Sequence, residues 1–184
     1  MADNTPNLGK RGESMHFFDL INERRSVRSF KEIGVEDEKI EQLLNAANSA
    51  PSAGNLQAYK IVAIRDQKTK EDLVDLAFGQ RFLAEAPIVF VFLQDVQRST
   101  EQYGERGPFY SFQDAIIANT YLQLAAVELN LGTVWVGAFD EEKVQKLLDT
   151  DMRPVIITPV GYPAKGSAHS TGRRQLDDIV EYID

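Results

Sequence analysis

One segment constrains the fold more than any other. Between Asp114 and Asn130 the sequence reads as a long helix whose apolar positions, Ile116, Ile117, Tyr121, Leu122, Leu124, Ala125 and Leu129, run nearly all round it. Such a helix has no face to offer water, so it lies at the centre of a fold or in a subunit interface. Gly132 marks its end. A chain of 184 residues is long enough to bury a sizeable core, yet it has limited sheet with which to cover one helix on every side. At roughly 25 cal/mol per Å² of apolar area, a core shared between two copies of the chain would be strongly stabilising, and an obligate interface is expected.

Short elements alternate along the rest of the chain. Residues 1–14 are polar, carry one proline and two glycines, and show no apolar period; they read as a disordered tail. Organised sequence begins at Met15, a candidate second start. Residues 15–24, with Phe17, Phe18, Leu20 and Ile21, are consistent with a first helix. Residues 35–49 make a stronger one: Ile40, Leu43, Leu44 and Ala47 fall at i, i+3, i+4 and i+7, with Glu36 and Asp37 in the first turn. Residues 59–65 and 87–93 read as strands, the second apolar throughout. A helix is expected at 68–78 and a shorter one at 81–85. Residues 95–112 read as a polar loop bearing Tyr103, Phe109, Tyr110 and Phe112, aromatics that could lid a cleft. Strands follow at 133–139 and 155–160, around a helix at 141–148 with Asp140 as its cap. Interleaved helices and short strands predict an α+β, mixed α/β fold. With no internal repeat and no linker, residues 15–184 read as a single domain.

Composition removes many chemistries. There is no cysteine, hence no disulfide, thiolate metal site or sulfur redox step. His16 and His169 are too few for a histidine metal centre. If electrons move here, a bound cofactor carries them. A net charge of −8 argues against nucleic acid as a general partner. No run reaches the roughly 18 apolar residues of a membrane helix, and the first residues lack a signal-peptide hydrophobic stretch, so a cytoplasmic location is expected. Neither GxGxxG nor GxxxxGK[ST] occurs, and nothing matches GxSxG or HExxH. Asp114 reads as a cap or early-turn acid of the long helix.

Four segments remain that could carry chemistry. Residues 24–31 (RRSVRSFK) hold four cations and no acid inside an acidic protein. Their guanidiniums and hydroxyls suit a compact phosphate, because the Arg fork matches phosphate oxygens; cations just past a helix C-terminus would also simply complement its dipole. Residues 51–57 (PSAGNLQ) set amides and a hydroxyl between a helix and a strand. Their alternating donors and acceptors fit an imide edge, though the same composition marks an ordinary turn. Residues 135–139 (WVGAF) end a strand with small residues that let backbone N–H groups approach a flat ligand, or form a buried strand with a glycine bulge. Arg173 and Arg174 are a second cation pair, able to close on the same anion or to sit in solvent.

The order of these pieces resembles the nitroreductase family of FMN-dependent NAD(P)H oxidoreductases in its small, minimal form. The pieces are Arg-Arg-Ser-x-Arg after an N-terminal helix, Pro-Ser-x-x-Asn-x-Gln, Ala-Pro before a strand, the long apolar helix, Leu-Gly-Thr-x-Trp-x-Gly-Ala-Phe, Val-Gly-Tyr-Pro and a terminal Arg-Arg. The resemblance implies a mostly antiparallel sheet wrapped by helices, in an intertwined homodimer with FMN at the subunit interface. It implies that Arg24, Arg25 and Ser26 hold the FMN phosphate and ribityl end, with Arg173 or Arg174 completing the clamp. Arg28 would reach the pyrimidine edge of the flavin, where a cation stabilises the anionic reduced form. Pro51, Ser52, Ala53, Asn55 and Gln57 would come from the partner copy. Backbone N–H groups at Gly137 and Ala138 would meet the hydride-accepting edge, and Gln80 would contact the pyrimidine ring. NADH or NADPH would donate and a nitroaromatic, quinone or flavin would accept, in alternation, with no separate catalytic side chain. A specialised flavoenzyme of the same fold, deiodinase-like or flavin-destroying, or a flavin-binding module without turnover, are the alternatives.

Overall fold

The computed structural model describes residues 15–166 and 171–183; the expected tail at 1–14 and His169 lie outside them. A four-stranded antiparallel sheet in the order β1-β2-β4-β3 organises these residues, formed by β1 (Tyr59–Ile64), β2 (Ile88–Gln94), β3 (Gly132–Thr133) and β4 (Arg153–Gly161). The helices are α1 (Phe17–Glu23), α2 (Asp37–Asn48), α3 (Gln67–Leu76), α4 (Phe82–Glu85), α5 (Val96–Tyr103), α6 (Gly107–Glu128) and α7 (Glu141–Leu147). The mixed fold expected from the alternation is the one observed.

β2 explains the layering. It is apolar at every position but its last, and all seven residues are buried, as a strand must be when helices cover both faces. Successive side chains point to opposite sides. Ile88, Phe90 and Phe92 join Ile40, Leu43 and Ala47 of α2 and Ala115, Ala118, Leu122 and Ala126 of α6 in one core. Val89, Val91 and Leu93 join Leu73 and Ala77 of the α3 region, Leu83 of α4 and Val144 of α7 in the other. Side-chain caps start three helices: Asp66 accepts from Thr69 N at 2.8 Å, Asp95 from Arg98 N at 3.0 Å and Asp140 from Lys143 N at 3.1 Å.

Three expectations are corrected. Residues 95–112 are helical: Asp95 caps α5, Gly104 at φ +52° breaks the chain, and α6 begins at Gly107 with Pro108 in its first turn. Only Ser99 of α5 is buried, so its polar sequence imitates a loop. Gly107 lets α6 start where it does, since a Cβ there would lie 2.5 Å from the Thr100 backbone. The C-terminal end of α6 is set by Asn130, in the left-handed region at φ +59°, and not by Gly132. Gly132 instead makes room for the arginine segment, since a Cβ there would fall 2.7 Å from Val27 Cγ2.

The expected strand at 133–139 is interrupted. Thr133 pairs with Val160, and Val136 pairs again with Ile157 in the same antiparallel register. The gap faces Pro159, which has no N–H to donate. After Val136 the chain leaves the sheet, with Gly137 and Ala138 exposed. Among the described residues no helix is long and apolar enough to cross a membrane.

Candidate cofactor site

The arginine segment lies along β3. Ser26 bridges to Thr133 in parallel fashion, with Val27 N donating to Thr133 O at 2.9 Å. Further on, Ala164 N donates to Ser29 O at 3.0 Å and Lys31 N to Tyr162 O at 2.9 Å. Val27 and Phe30 point into the core, while Arg24, Arg25 and Ser26 are half-buried and Arg28 is exposed. Main-chain bonds therefore fix the segment and leave the cations outside. Arg25 donates to the Asn22 and Arg24 carbonyls. Burial, then the charges of Arg173 and Arg25, hold the Arg24 pKa below its ordinary value. Arg173 is thus near enough to Arg24 for its charge to act there, whereas Arg174 donates to the Asp178 carbonyl. Among the described residues no carboxylate comes within ion-pair distance of Arg24, Arg25, Arg28, Arg173 or Arg174.

Gln80 and Ala138, both candidates from sequence, are brought together: Gln80 Nε2 donates to Ala138 O at 3.1 Å and to Ala77 O at 3.0 Å. Both amide hydrogens are used, so only Oε1 is left to meet a ligand. Gln80 also steadies the chain where Gly137 and Ala138 leave the sheet.

The loop from Pro51 to Gln57 makes three demands on the backbone within four residues. Gly54, Asn55 and Gln57 are all at positive φ (+56°, +57° and +45°), a conformation that costs an L residue unless its surroundings hold it. Ser52 Oγ accepts from Gln57 N at 3.0 Å and from Gln57 Nε2 at 3.2 Å, and Gln57 Nε2 also donates to Asn55 Oδ1 at 2.8 Å. A Cβ on Gly54 would run into the Tyr103 hydroxyl at the end of α5. Asp114, expected as a cap or early-turn acid, sits two turns inside α6 and is 2% exposed. Its Oδ1 accepts from Ala53 N at 2.9 Å and its Oδ2 from Ala58 N at 3.4 Å. Sequence reasoning missed this because it began the helix seven residues late; Pro108 was the available signal for the true start.

Among the described residues no hydrogen bond or ion pair joins this loop to the arginine segment. Two open grooves, of about 740 and 650 Å³, share Asp151 and Met152 and are lined by none of the expected site residues.

Comparison with known proteins follows the same outline. The nitroreductase family model matches residues 21–80 and 75–162. A Thermus thermophilus protein named NADH dehydrogenase is 31% identical over 188 residues, covering 85% of this chain and 91% of its own. A Staphylococcus aureus NADPH-dependent oxidoreductase is 30% identical over 167 residues, covering 82% of this chain and 66% of its own, so this chain spans just under two thirds of that relative. The solved structure of Bacillus megaterium NfrA2 superimposes with a TM-score of 0.83 at 27% identity, covering 91% of this chain and 74% of the other. From the family match together with relatives at these identities, the chain belongs to the nitroreductase family and is an oxidoreductase.

Proposed function

We propose that this chain binds FMN in an intertwined homodimer and carries electrons from NADH or NADPH, drawn from the cytoplasmic pool, to a nitroaromatic, quinone or flavin-type acceptor. One observation carries the reading: Arg24 is half-buried beside Arg25 and Arg173, its charge disfavoured, with no carboxylate at ion-pair distance among the described residues. Three guanidiniums so placed fit a doubly charged phosphate, whose binding would relieve their mutual repulsion.

On this reading Arg24, Arg25 and Ser26 hold the phosphate and ribityl end, and Arg173, with Arg174 near it in sequence, closes over them. Arg28, exposed beside them, faces the pyrimidine edge, where its charge favours the anionic reduced ring. The exposed backbone at Gly137 and Ala138 offers N–H groups to the redox edge, and Gln80 contributes Oε1. Pro51, Ser52, Ala53, Asn55 and Gln57 line the ring from the partner copy. That division accounts for two loops that share no bond within one chain. It also accounts for the open apolar surface of a single copy: Phe17 and Phe18 of α1, Tyr121 of α6, and Leu176, Ile179, Tyr182 and Ile183 near the C-terminus are all 40% exposed or more. Bound FMN would supply the two-electron chemistry, taken from the nicotinamide and passed to the acceptor in turn. No side chain is asked to act as acid, base or nucleophile, in keeping with a chain that has no cysteine.

The test is to reconstitute the protein with FMN and add NADH or NADPH without oxygen. Loss of the yellow flavin absorbance with either donor is the expected result. Colour that persists with both, or protein that cannot be loaded with FMN, overturns the proposal.

A further inference from the structure

We propose that Asp114 is the positioning residue of this site, and that its buried carboxylate sets FMN affinity by pinning both ends of the loop that lines the flavin. The inference rests on the FMN reading above. It begins from an anomaly: a carboxylate 2% exposed, inside a helix whose other buried residues are all uncharged, with no cation at ion-pair distance among the described residues. Burying an unpaired charge is expensive, and an apolar residue of similar volume would ordinarily be more stable there. What Asp114 does have is two backbone donors, Ala53 N at 2.9 Å on Oδ1 and Ala58 N at 3.4 Å on Oδ2. Those residues bracket the segment that contains all three positive-φ positions of the loop, Gly54, Asn55 and Gln57. Its charge also reaches Tyr59, whose phenol is pushed up first by burial and then by Asp114.

The residue type follows from the geometry. Two N–H donors approach two different oxygens of one group, and only a carboxylate offers two acceptors with no hydrogen of its own. Asparagine would satisfy one N–H and turn its NH₂ against the other. The opposite side of the loop is closed by α5, where Tyr103 leaves no room for a side chain on Gly54. Asp114 thus holds the loop from the core side and α5 from the other. Ala53 and Asn55, the contacts assigned to the partner's flavin, hang between the two anchors.

The experiment compares wild type, Asp114→Asn, Gly54→Ala and Leu122→Ala. Leu122 lies two turns further along α6, fully buried in the core and away from the loop. Amide hydrogen exchange at Ala53 and Ala58 is read on the apoprotein, and FMN affinity is read by titration well below each variant's Tm. Asp114→Asn is expected to raise exchange at both amides and weaken FMN binding about tenfold or more. Gly54→Ala, which strains the exposed loop without touching the core, is expected to weaken FMN binding as well and covers the case in which Asp114→Asn does not fold. Leu122→Ala is expected to lower Tm while leaving both readouts within a few-fold of wild type. Asp114→Asn or Gly54→Ala proteins that bind FMN like wild type overturn the positioning role and leave the FMN reading standing. A Leu122→Ala protein that weakens FMN as much as Asp114→Asn shows a general stability effect and also overturns it. Wild-type protein that binds no FMN overturns the function itself, and this inference with it.

Discussion

The arginine segment and the 51–57 loop both present polar groups to the candidate site, yet they are held by opposite means. Residues 26–31 are fixed through their backbone, by bonds to Thr133, Ala164 and Tyr162, with Val27 and Phe30 as apolar anchors. Their cations are spectators of the fold. The loop has two tight-turn backbone bonds of its own, Asn55 N to Ser52 O and Leu56 N to Ala53 O. Its shape and its ties to α5 and α6 nevertheless depend on the side chains of Ser52, Gln57, Arg98 and Asp114, and Gly54, Asn55 and Gln57 sit at positive φ. Where backbone does the holding, side chains are free to be chosen for a ligand. Where side chains do the holding, fold and ligand compete for the same residues.

The largest effect expected from this contrast is on ligand binding alone. Arg24→Ala should weaken FMN binding by about 1.5–3 kcal/mol, the worth of a charged hydrogen bond. Urea unfolding of the apoprotein should be unchanged or slightly stabilised, because one of three mutually repelling cations is gone. An apoprotein clearly destabilised by this change would break the contrast, since the cation would then be part of the fold.

Attacking the backbone of the same segment should do the reverse. Gly132→Ala puts a Cβ 2.7 Å from Val27 Cγ2 and pries the segment off β3, at a cost of about 1–3 kcal/mol for overpacking. Equilibrium unfolding measures that cost; a variant as stable as wild type would show that the segment is not held where Val27 meets Gly132. In the loop, Ser52→Ala removes the acceptor of two bonds and should cost about 0.5–1.5 kcal/mol. Stability and FMN affinity should fall together here. A loss confined to one of them would remove the distinction between the two regions.

How far each region could be read in the sequence follows from the same difference. The arginine segment stood out in the sequence because its cations are clustered and unbalanced by any acid, and β2 was legible because its first six buried positions form an unbroken apolar run. The cap at Asp140 was equally plain, since its bonds are local. Asp114 was not legible, because its partners at Ala53 and Ala58 lie some sixty positions away and are backbone amides, which carry no residue signature. The break in the strand after Thr133 was hidden for a related reason: its cause, Pro159, sits on the neighbouring strand. Helix α5 was missed on its own terms, as a surface helix with one buried residue lacks the apolar period that pattern reading needs. Local and contiguous causes show in sequence, whereas pairings between distant segments show only after folding.

One end of the arginine segment does depend on side chains, and this gives the smallest effect. Tyr162, whose carbonyl receives Lys31 N, donates its hydroxyl to Glu36 at 2.7 Å and accepts from Lys39 Nζ at 2.6 Å. The Tyr162 bond is the main cause that lowers the Glu36 pKa, with its own backbone N–H and the Lys39 charge acting in the same direction. A carboxylate whose pKa is depressed by folding adds stability above its unfolded value and loses it as pH falls through the folded one. The Glu36 contribution should therefore be complete at neutral pH and fade on the acid side of its ordinary value, 4.5. Glu36 is exposed, so the effect will be modest and screened by salt. Tyr162→Phe should make the acid-side decline in stability shallower than in wild type while leaving the Lys31–Tyr162 main-chain bond in place. Urea midpoints measured from neutral to acid pH decide it. Curves that stay parallel down to low pH would mean that this anchor, like the rest of the segment, is held by backbone alone.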